Sequence, residues 1–213
     1  MPRTPQSPTG QARGEQPAQA FLLLHGWQNH RPAEHWQHWL ADRLAALGHT
    51  VAYPQLPAPD APDLNHWLAE LTARLEALRG AARTTVVCHS LACTLWLHAV
   101  ARDAVPFPVD RVLLVAPPSP SFVQQHAEIA QFTPPAPSEL RLSTAAGHTR
   151  MVAADNDPCC PEGATEVYAT PLGLPIDVLV GEAHLNPDAG YGAWPSVLEW
   201  CLSPSGDGPV GRR

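Results

Sequence analysis

The 213-residue chain contains no lysine; all 13 of its basic side chains are arginines. Chemistry that needs a lysine amine is therefore excluded: Schiff-base catalysis, pyridoxal-phosphate attachment and the phosphate-binding lysine of a P-loop. No apolar run approaches membrane length. The longest early one, Ala20-Phe21-Leu22-Leu23-Leu24, falls far short of the roughly 20 residues of a spanning helix, and it lacks the length and charged flank of a secretory signal. No membrane partner is expected. Positive charge is also scarce. The formal net charge is −7 and the arginines are scattered, which argues against a nucleic-acid surface. No C-x-x-C pair occurs among Cys88, Cys93, Cys159, Cys160 and Cys201. An odd cysteine count without a signal segment predicts reduced thiols and a cytoplasmic location.

What is present suits one globular domain. The apolar fraction is 45%, and the length is enough for a good core. Residues 1–18 are rich in Pro, Gln, Gly and Thr and are expected to be disordered. Residues 19–203 should form the domain, and 204–213 a loose tail. Strands are predicted at Ala20–Leu24, Thr50–Tyr53, Thr84–His89, Arg111–Ala116, up to Ala154, and Ile176–Gly181. Helices are predicted from Pro32 to Gly48, from Asp63 (as cap) to Gly80, from the end of the third strand to Asp103, around Phe122–Phe132, and from Pro195 to Leu202. The segment 161–174 is weak and reads poorly as a helix. Strands alternating with helices predict an α/β fold with a mostly parallel central sheet and helices on both faces. No large lid has room between the strands.

The most informative stretch is Thr84-Thr85-Val86-Val87-Cys88-His89-Ser90-Leu91-Ala92-Cys93. A β-branched run ends at a serine and a helix-forming run starts at once, as in a nucleophile elbow. Such a turn needs small residues two before and two after the serine. Cys88 and Ala92 stand there, in place of the two glycines of G-x-S-x-G. The bland alternative is a strand leading into a helix capped by an ordinary serine.

In enzymes built on such an elbow the partners follow in chain order, an acid and then a histidine. Of eleven histidines only His184 lies beyond the acids near residue 155. It follows the predicted strand Ile176–Gly181. The acid is Asp155 or Asp157, in Ala154-Asp155-Asn156-Asp157-Pro158 after another strand. Each candidate thus sits past the C-terminal end of a strand, where open α/β sheets carry their chemistry. Turn formation is the plain alternative for the aspartates, and a loop position for His184. Two backbone N–H groups are expected to serve a developing oxyanion. One belongs to Leu91, after the serine, and one to Trp27, in the loop after the first strand. Gly26 would let that backbone approach the substrate.

Other arrangements carry less. His25, His30, His35 and His38 could be read as metal ligands with Cys159-Cys160, but they lack paired ligand spacing, and no metal or cofactor is expected. The tryptophans Trp36, Trp39, Trp67, Trp96, Trp194 and Trp200 fall on helices or at their starts and read as core. Cys88 and Cys93 read as small buried hydrophobes. Cys159-Cys160 follows Asp157 directly and reads either as a plain loop pair or as a redox-sensitive one.

Three motifs together carry a family resemblance. They are Leu24-His25-Gly26-Trp27-Gln28-Asn29 with His35-Trp36-Gln37; Cys88-His89-Ser90-Leu91-Ala92-Cys93; and Asn156-Asp157-Pro158 with Gly181-Glu182-Ala183-His184-Leu185-Asn186, continuing to Gly190-Tyr191-Gly192-Ala193-Trp194-Pro195. On these, over residues 20–202, the chain resembles the small single-domain α/β-hydrolases of the YdeN and retinoblastoma-binding serine hydrolase family. Ala92 departs from that family's glycine. The resemblance implies a triad of Ser90 as nucleophile, His184 as base and Asp157 as orienting acid. It selects Asp157 over Asp155 because the family's acid directly precedes proline. The implied activity is hydrolysis of a small carboxylic ester, or of a thioester or amide, through an acyl-serine intermediate and without a cofactor. Trp27, Leu91 and Phe122 suggest a short apolar acyl chain. The alternative is a hydrolase-like protein-binding module with little catalysis, since fold does not settle function. Acyl transfer to an acceptor other than water would use the same triad.

Overall fold

Residues 18–213 are described by a computed structural model. The segment expected to be disordered, 1–18, lies outside the described residues except for Ala18. The chain alternates strands and helices: β1 (Ala20–Leu24), α1 (Trp36–Ala46), β2 (Thr50–Ala52), α2 (Leu64–Ala77), β3 (Thr84–His89), α3 (Leu91–Ala101), β4 (Val109–Val115), α4 (Pro120–Gln125), α5 (Leu142–Ala145), β5 (Ala146–Ala154), α6 (Thr170–Leu172), β6 (Ile176–Leu179) and α7 (Pro195–Leu202). Among the described residues the six strands form one sheet in the order β2-β1-β3-β4-β5-β6. Every neighbouring pair is parallel.

The alternation of side chains along each strand divides the core in two. Leu22, Leu24, Val86, Cys88, Val112 and Leu114 face α2 and α3 on one side. Phe21, Leu23, Val87, Leu113 and Val115 face α1 and α7 on the other. Both faces are therefore covered, as a parallel sheet requires. Each fully buried Leu or Val contributes about 1.5–3 kcal/mol relative to exposure. The expected tryptophan core holds for Trp36, Trp67, Trp96, Trp194 and Trp200, which are all buried; Trp39 is partly buried against the second face.

Local signals account for most boundaries. Asp63 caps α2, its carboxylate accepting from the His66 N–H at 2.9 Å. Gly48 follows α1 at φ +84°, a left-handed position that suits glycine. Three expectations need correction. The first concerns α1, which starts at Trp36 and not at Pro32: residues 32–35 form a turn closed by His35 N–H to Pro32 O at 3.0 Å. The His35 ring then caps the helix, accepting from Gln37 N–H at 3.1 Å, a use of histidine with no simple sequence signature.

The second is segment 161–174, which is helical after all. A π-helical stretch, Thr165–Ala169, runs into α6 and stops at Gly173, φ 63°. Pro171 supplies no N–H, which disfavours a regular α-helix there. The third is the tail, expected to be loose, which is tied to the domain. Val210 is buried and its N–H donates to Asp177 at 2.9 Å. The Gly211 carbonyl accepts from the Trp194 indole at 2.8 Å and from Ser196 at 2.7 Å.

Topology places the site. The chain runs from β1 outward to β2, then back across to β3 on β1's other side. Connections after β1 and β3 therefore leave in opposite directions and open a crevice at their carboxyl ends. Gly26 and Ser90 stand on its two sides.

Candidate active site

Ser90 follows β3 directly and precedes α3. Its backbone has φ 55° and ψ −126°, a sparsely populated conformation for a residue with a side chain. The turn presents the hydroxyl outward and makes no side-chain cap for α3. The reading of Ser90 as an ordinary helix cap is thereby set aside. The small residues expected beside it, Cys88 and Ala92, are both fully buried.

The Ser90 hydroxyl lies 2.9 Å from His184 Nε2. On the far side of the ring, Nδ1 lies 2.9 Å from each carboxylate oxygen of Asp157. Residues separated by up to 94 positions thus form one hydrogen-bonded row. Asp157 is 2% exposed. Its Oδ1 also accepts from the Cys159 N–H at 2.8 Å, so it performs turn chemistry as well. Asp155 takes a different role, accepting from the Gly181 N–H at 2.8 Å. Burial opposes a charge on the His184 ring, but the hydrogen bond and charge of Asp157, with a contribution from Cys159, outweigh it. The imidazole pKa is raised above its ordinary value.

Gly26 has a reason sharper than the one expected. A Cβ there would lie 2.7 Å from Ser90 Cβ and 3.2 Å from the His89 carbonyl. Glycine lets the loop after β1 touch the elbow itself. That contact sets Trp27 beside Ser90 in one cleft. The next amide along, Gln28, is already engaged, donating to Pro59 O at 2.9 Å. Leu91 is the first residue of α3, so its N–H has no acceptor within the helix.

The cleft has a volume of about 440 Å³ and holds Ser90, His184 and His89 together with Gln28, Asn29, His30, Glu34, Asn186 and Asp188. Its wall is mixed, since Trp27, Pro32 and Pro187 stand among these polar side chains. Of the three residues expected there, Trp27 lines it. Leu91 is buried in the core, and Phe122 stacks on His126 at 4.4 Å. A hollow of about 580 Å³ lies at the start of β5, around Ala146–Thr149. That is the opposite end of the sheet from Ser90.

The four histidines read as a metal set are dispersed. His25 Nε2 accepts from Leu56 N–H at 2.9 Å, and burial lowers its pKa to about 4. His30 meets Asp60, His35 caps α1, and His38 meets the Arg31 carbonyl. Sequence reasoning gave His89 no role, although it precedes Ser90. It is 3% exposed, and its Nε2–H donates to the His184 carbonyl at 3.1 Å. Asn156 was likewise passed over; its side chain accepts from Ala183 N–H at 2.8 Å. Adjacency to the candidate residues was the available signal in both cases.

Among the described residues no helix is long and apolar enough to cross a membrane. A family profile described as serine hydrolase matches residues 21–202. YdeN of Bacillus subtilis (strain 168), named as a hydrolase, is 23% identical over 177 residues, covering 83% of this chain and 91% of that protein. The crystal structure of the ydeN gene product from B. subtilis superposes with a TM-score of 0.70 at 22% identity, over 85% of this chain and 96% of that one. A structure from the metagenome-derived lipolytic enzymes LipS and LipT gives 0.65 at 16% identity, over 87% and 92%. At such identities the structural likeness speaks for the fold. The profile match spans nearly all of the sheet and its helices, and the chain belongs to the serine hydrolase family.

Proposed function

We propose that this hydrolase cleaves small carboxylic esters through an acyl-serine intermediate, with Ser90 as nucleophile, His184 as base and Asp157 as the acid that orients it. The observation that carries the reading is the continuous row from Asp157 through both nitrogens of His184 to Ser90, each step 2.9 Å. Ser90 Oγ attacks the ester carbonyl as its proton passes to His184 Nε2. The ring then holds two protons, and Asp157 stabilises that charge. Collapse of the tetrahedral intermediate breaks the bond to the alcohol, which leaves with the proton from Nε2. Water attacks the acyl-serine by the same route and regenerates Ser90. The N–H groups of Leu91 and Trp27 serve the oxyanion, each worth about 3 kcal/mol in the transition state.

A cleft of about 440 Å³ suits a small molecule. The lipolytic nature of LipS and LipT supports an ester as its class. Five unpaired cysteines support the cytoplasm as its location.

Steady-state hydrolysis of p-nitrophenyl esters of increasing acyl length tests the proposal. The wild type should turn over the short esters. Asp157→Asn should lose a factor of roughly 10⁴ in kcat by favouring the wrong tautomer of His184. Ser90→Ala should retain nothing above background. Turnover of no ester by the folded protein would favour the binding-module alternative.

A further inference from the structure

Beside the row that joins Asp157 to Ser90 stands a thiol that the reaction does not use. The Asp157-Pro158-Cys159 turn is closed by the Cys159 N–H on Asp157 Oδ1 at 2.8 Å, which folds Cys159 back toward the carboxylate. One donor atom from each of Asp157, Cys159 and His184 then lies within 4.8 Å of the others. Cys159 is partly exposed, whereas Cys88, Cys93, Cys160 and Cys201 are buried.

We propose that Asp157, Cys159 and His184 bind a thiophilic divalent cation, with Zn²⁺ as the type ion, and that its binding switches off the catalytic row. The switching half rests on the function proposed above. An oxygen, a sulfur and a nitrogen donor with one position left for water make a tetrahedral zinc set. Zinc bonds of ~2.0–2.3 Å place tetrahedral donors ~3.5 Å apart. Side-chain rotation must bring the partly exposed Cys159 sulfur inward and open the 2.9 Å between Asp157 and His184 Nδ1 by about 0.6 Å.

The exchange balances without electron transfer. As Zn²⁺ takes the Nδ1 lone pair, the single proton of the neutral His184 ring moves by way of solvent from Nδ1 to Nε2, and the thiol proton of Cys159 goes to solvent. The thiolate and the Asp157 carboxylate together neutralise the ion. The consequence for His184 follows from its two nitrogens. A neutral imidazole bound to metal through Nδ1 keeps its single proton on Nε2. That nitrogen faces the Ser90 hydroxyl at 2.9 Å. It becomes a donor to the serine and has no lone pair with which to take the serine's proton. Hard ions such as Mg²⁺ and Ca²⁺ prefer all-oxygen sites and should leave the row intact.

The test uses the full chain, with Zn²⁺, Cd²⁺ and Mg²⁺ titrated against ester hydrolysis and Co²⁺ binding followed by its thiolate charge-transfer absorption. Zn²⁺ and Cd²⁺ should suppress the rate at least tenfold, with recovery on chelation, while Mg²⁺ leaves it unchanged. In Cys159→Ser, compared with its own metal-free rate, the inhibitory Zn²⁺ concentration should rise by about tenfold or more. The Co²⁺ band should appear in the wild type and in Ser90→Ala and vanish in Cys159→Ser. A band in Ser90→Ala alongside a wild type that hydrolyses no ester would sink the functional reading and keep the metal site. Absence of the band in the wild type, or a band or inhibition equally strong in Cys159→Ser, would overturn the metal site. A band without inhibition of an active wild type would overturn the switch.

Discussion

The ring of His89, the residue before Ser90, donates to the main-chain carbonyl of His184 at 3.1 Å. The elbow and the histidine loop are thus joined by a ring-to-backbone bond as well as through the serine hydroxyl. Two further bonds hold the same loop. Trp36 Nε1 donates to Leu185 O at 2.9 Å, and Ala183 N–H donates to Asn156 at 2.8 Å. The loop needs them, because Ala183 and Leu185, on either side of His184, have φ of 49° and 50°. Non-glycine residues in that region persist where the surroundings hold them.

His89→Phe should therefore keep the packing and lose the tether. A misplacement on the scale of 1 Å costs on the order of 10²-fold in rate. Ester kinetics should show kcat falling by about 10–100-fold with KM little changed, and circular dichroism should stay native. An unaltered kcat would remove His89 from the account.

Gly26→Ala sets a Cβ 2.7 Å from Ser90 Cβ, a contact that forces one backbone to move. The expected outcome is a loss of about 10²-fold in kcat/KM, with a melting temperature close to that of the wild type. Ala at this position with full activity would show that the loop and the elbow need not touch.

The pH dependence has a definite sign. Burial disfavours a charged His184, but Asp157 outweighs it and raises the pKa of the ring. Only the neutral ring can take the serine's proton. Activity should therefore fall as pH is lowered through a midpoint above about 6.5, the ordinary histidine value. The other buried rings near the site add no limb there: burial lowers His25 to about 4 and His35 to about 3. A kcat/KM profile over pH checks this. Asp157→Asn should move any residual limb downward, and a profile with no acid limb would contradict the role of His184.

The fold depends on a pair remote from the cleft. Arg150 on β5 donates to both oxygens of Asp177 on β6, at 2.6 and 2.7 Å. Both side chains are mostly buried, at 12% and 13% exposure. Asp177 also accepts from the Val210 N–H at 2.9 Å and so anchors the tail. Asp177→Ala leaves Arg150 without its carboxylate partner and removes one of the bonds that hold the tail. Urea unfolding should show a loss of about 2–4 kcal/mol; a change within 0.5 kcal/mol, about that of an ordinary surface substitution, would contradict the assignment.

Much of this was legible locally. The periodicity of α2 and its Asp63 cap, the extent of β1 and the start of α7 after Trp194 follow from neighbours along the chain. The strand–serine–helix junction at Ser90 was equally plain; chain order led from it to His184 and to Asp155 or Asp157, and the family resemblance selected Asp157. What stayed hidden depends on distant partners. The His89–His184 bond spans 95 positions, and the tail is held in part by Asp177, 33 positions before Val210. The make-up of the cleft wall is of the same kind. Leu91 looked available for a substrate, but the elbow turns it into the core, and the loops at Gln28 and Asn186 supply the wall.

The central claim is an activated serine at position 90. Labelling the folded wild type and Ser90→Ala with a fluorophosphonate probe, followed by peptide mapping, tests it most directly. The account predicts one modified peptide, carrying the label on Ser90 and missing from the variant. Folded wild-type protein that takes no label, or takes it elsewhere, would contradict the claim.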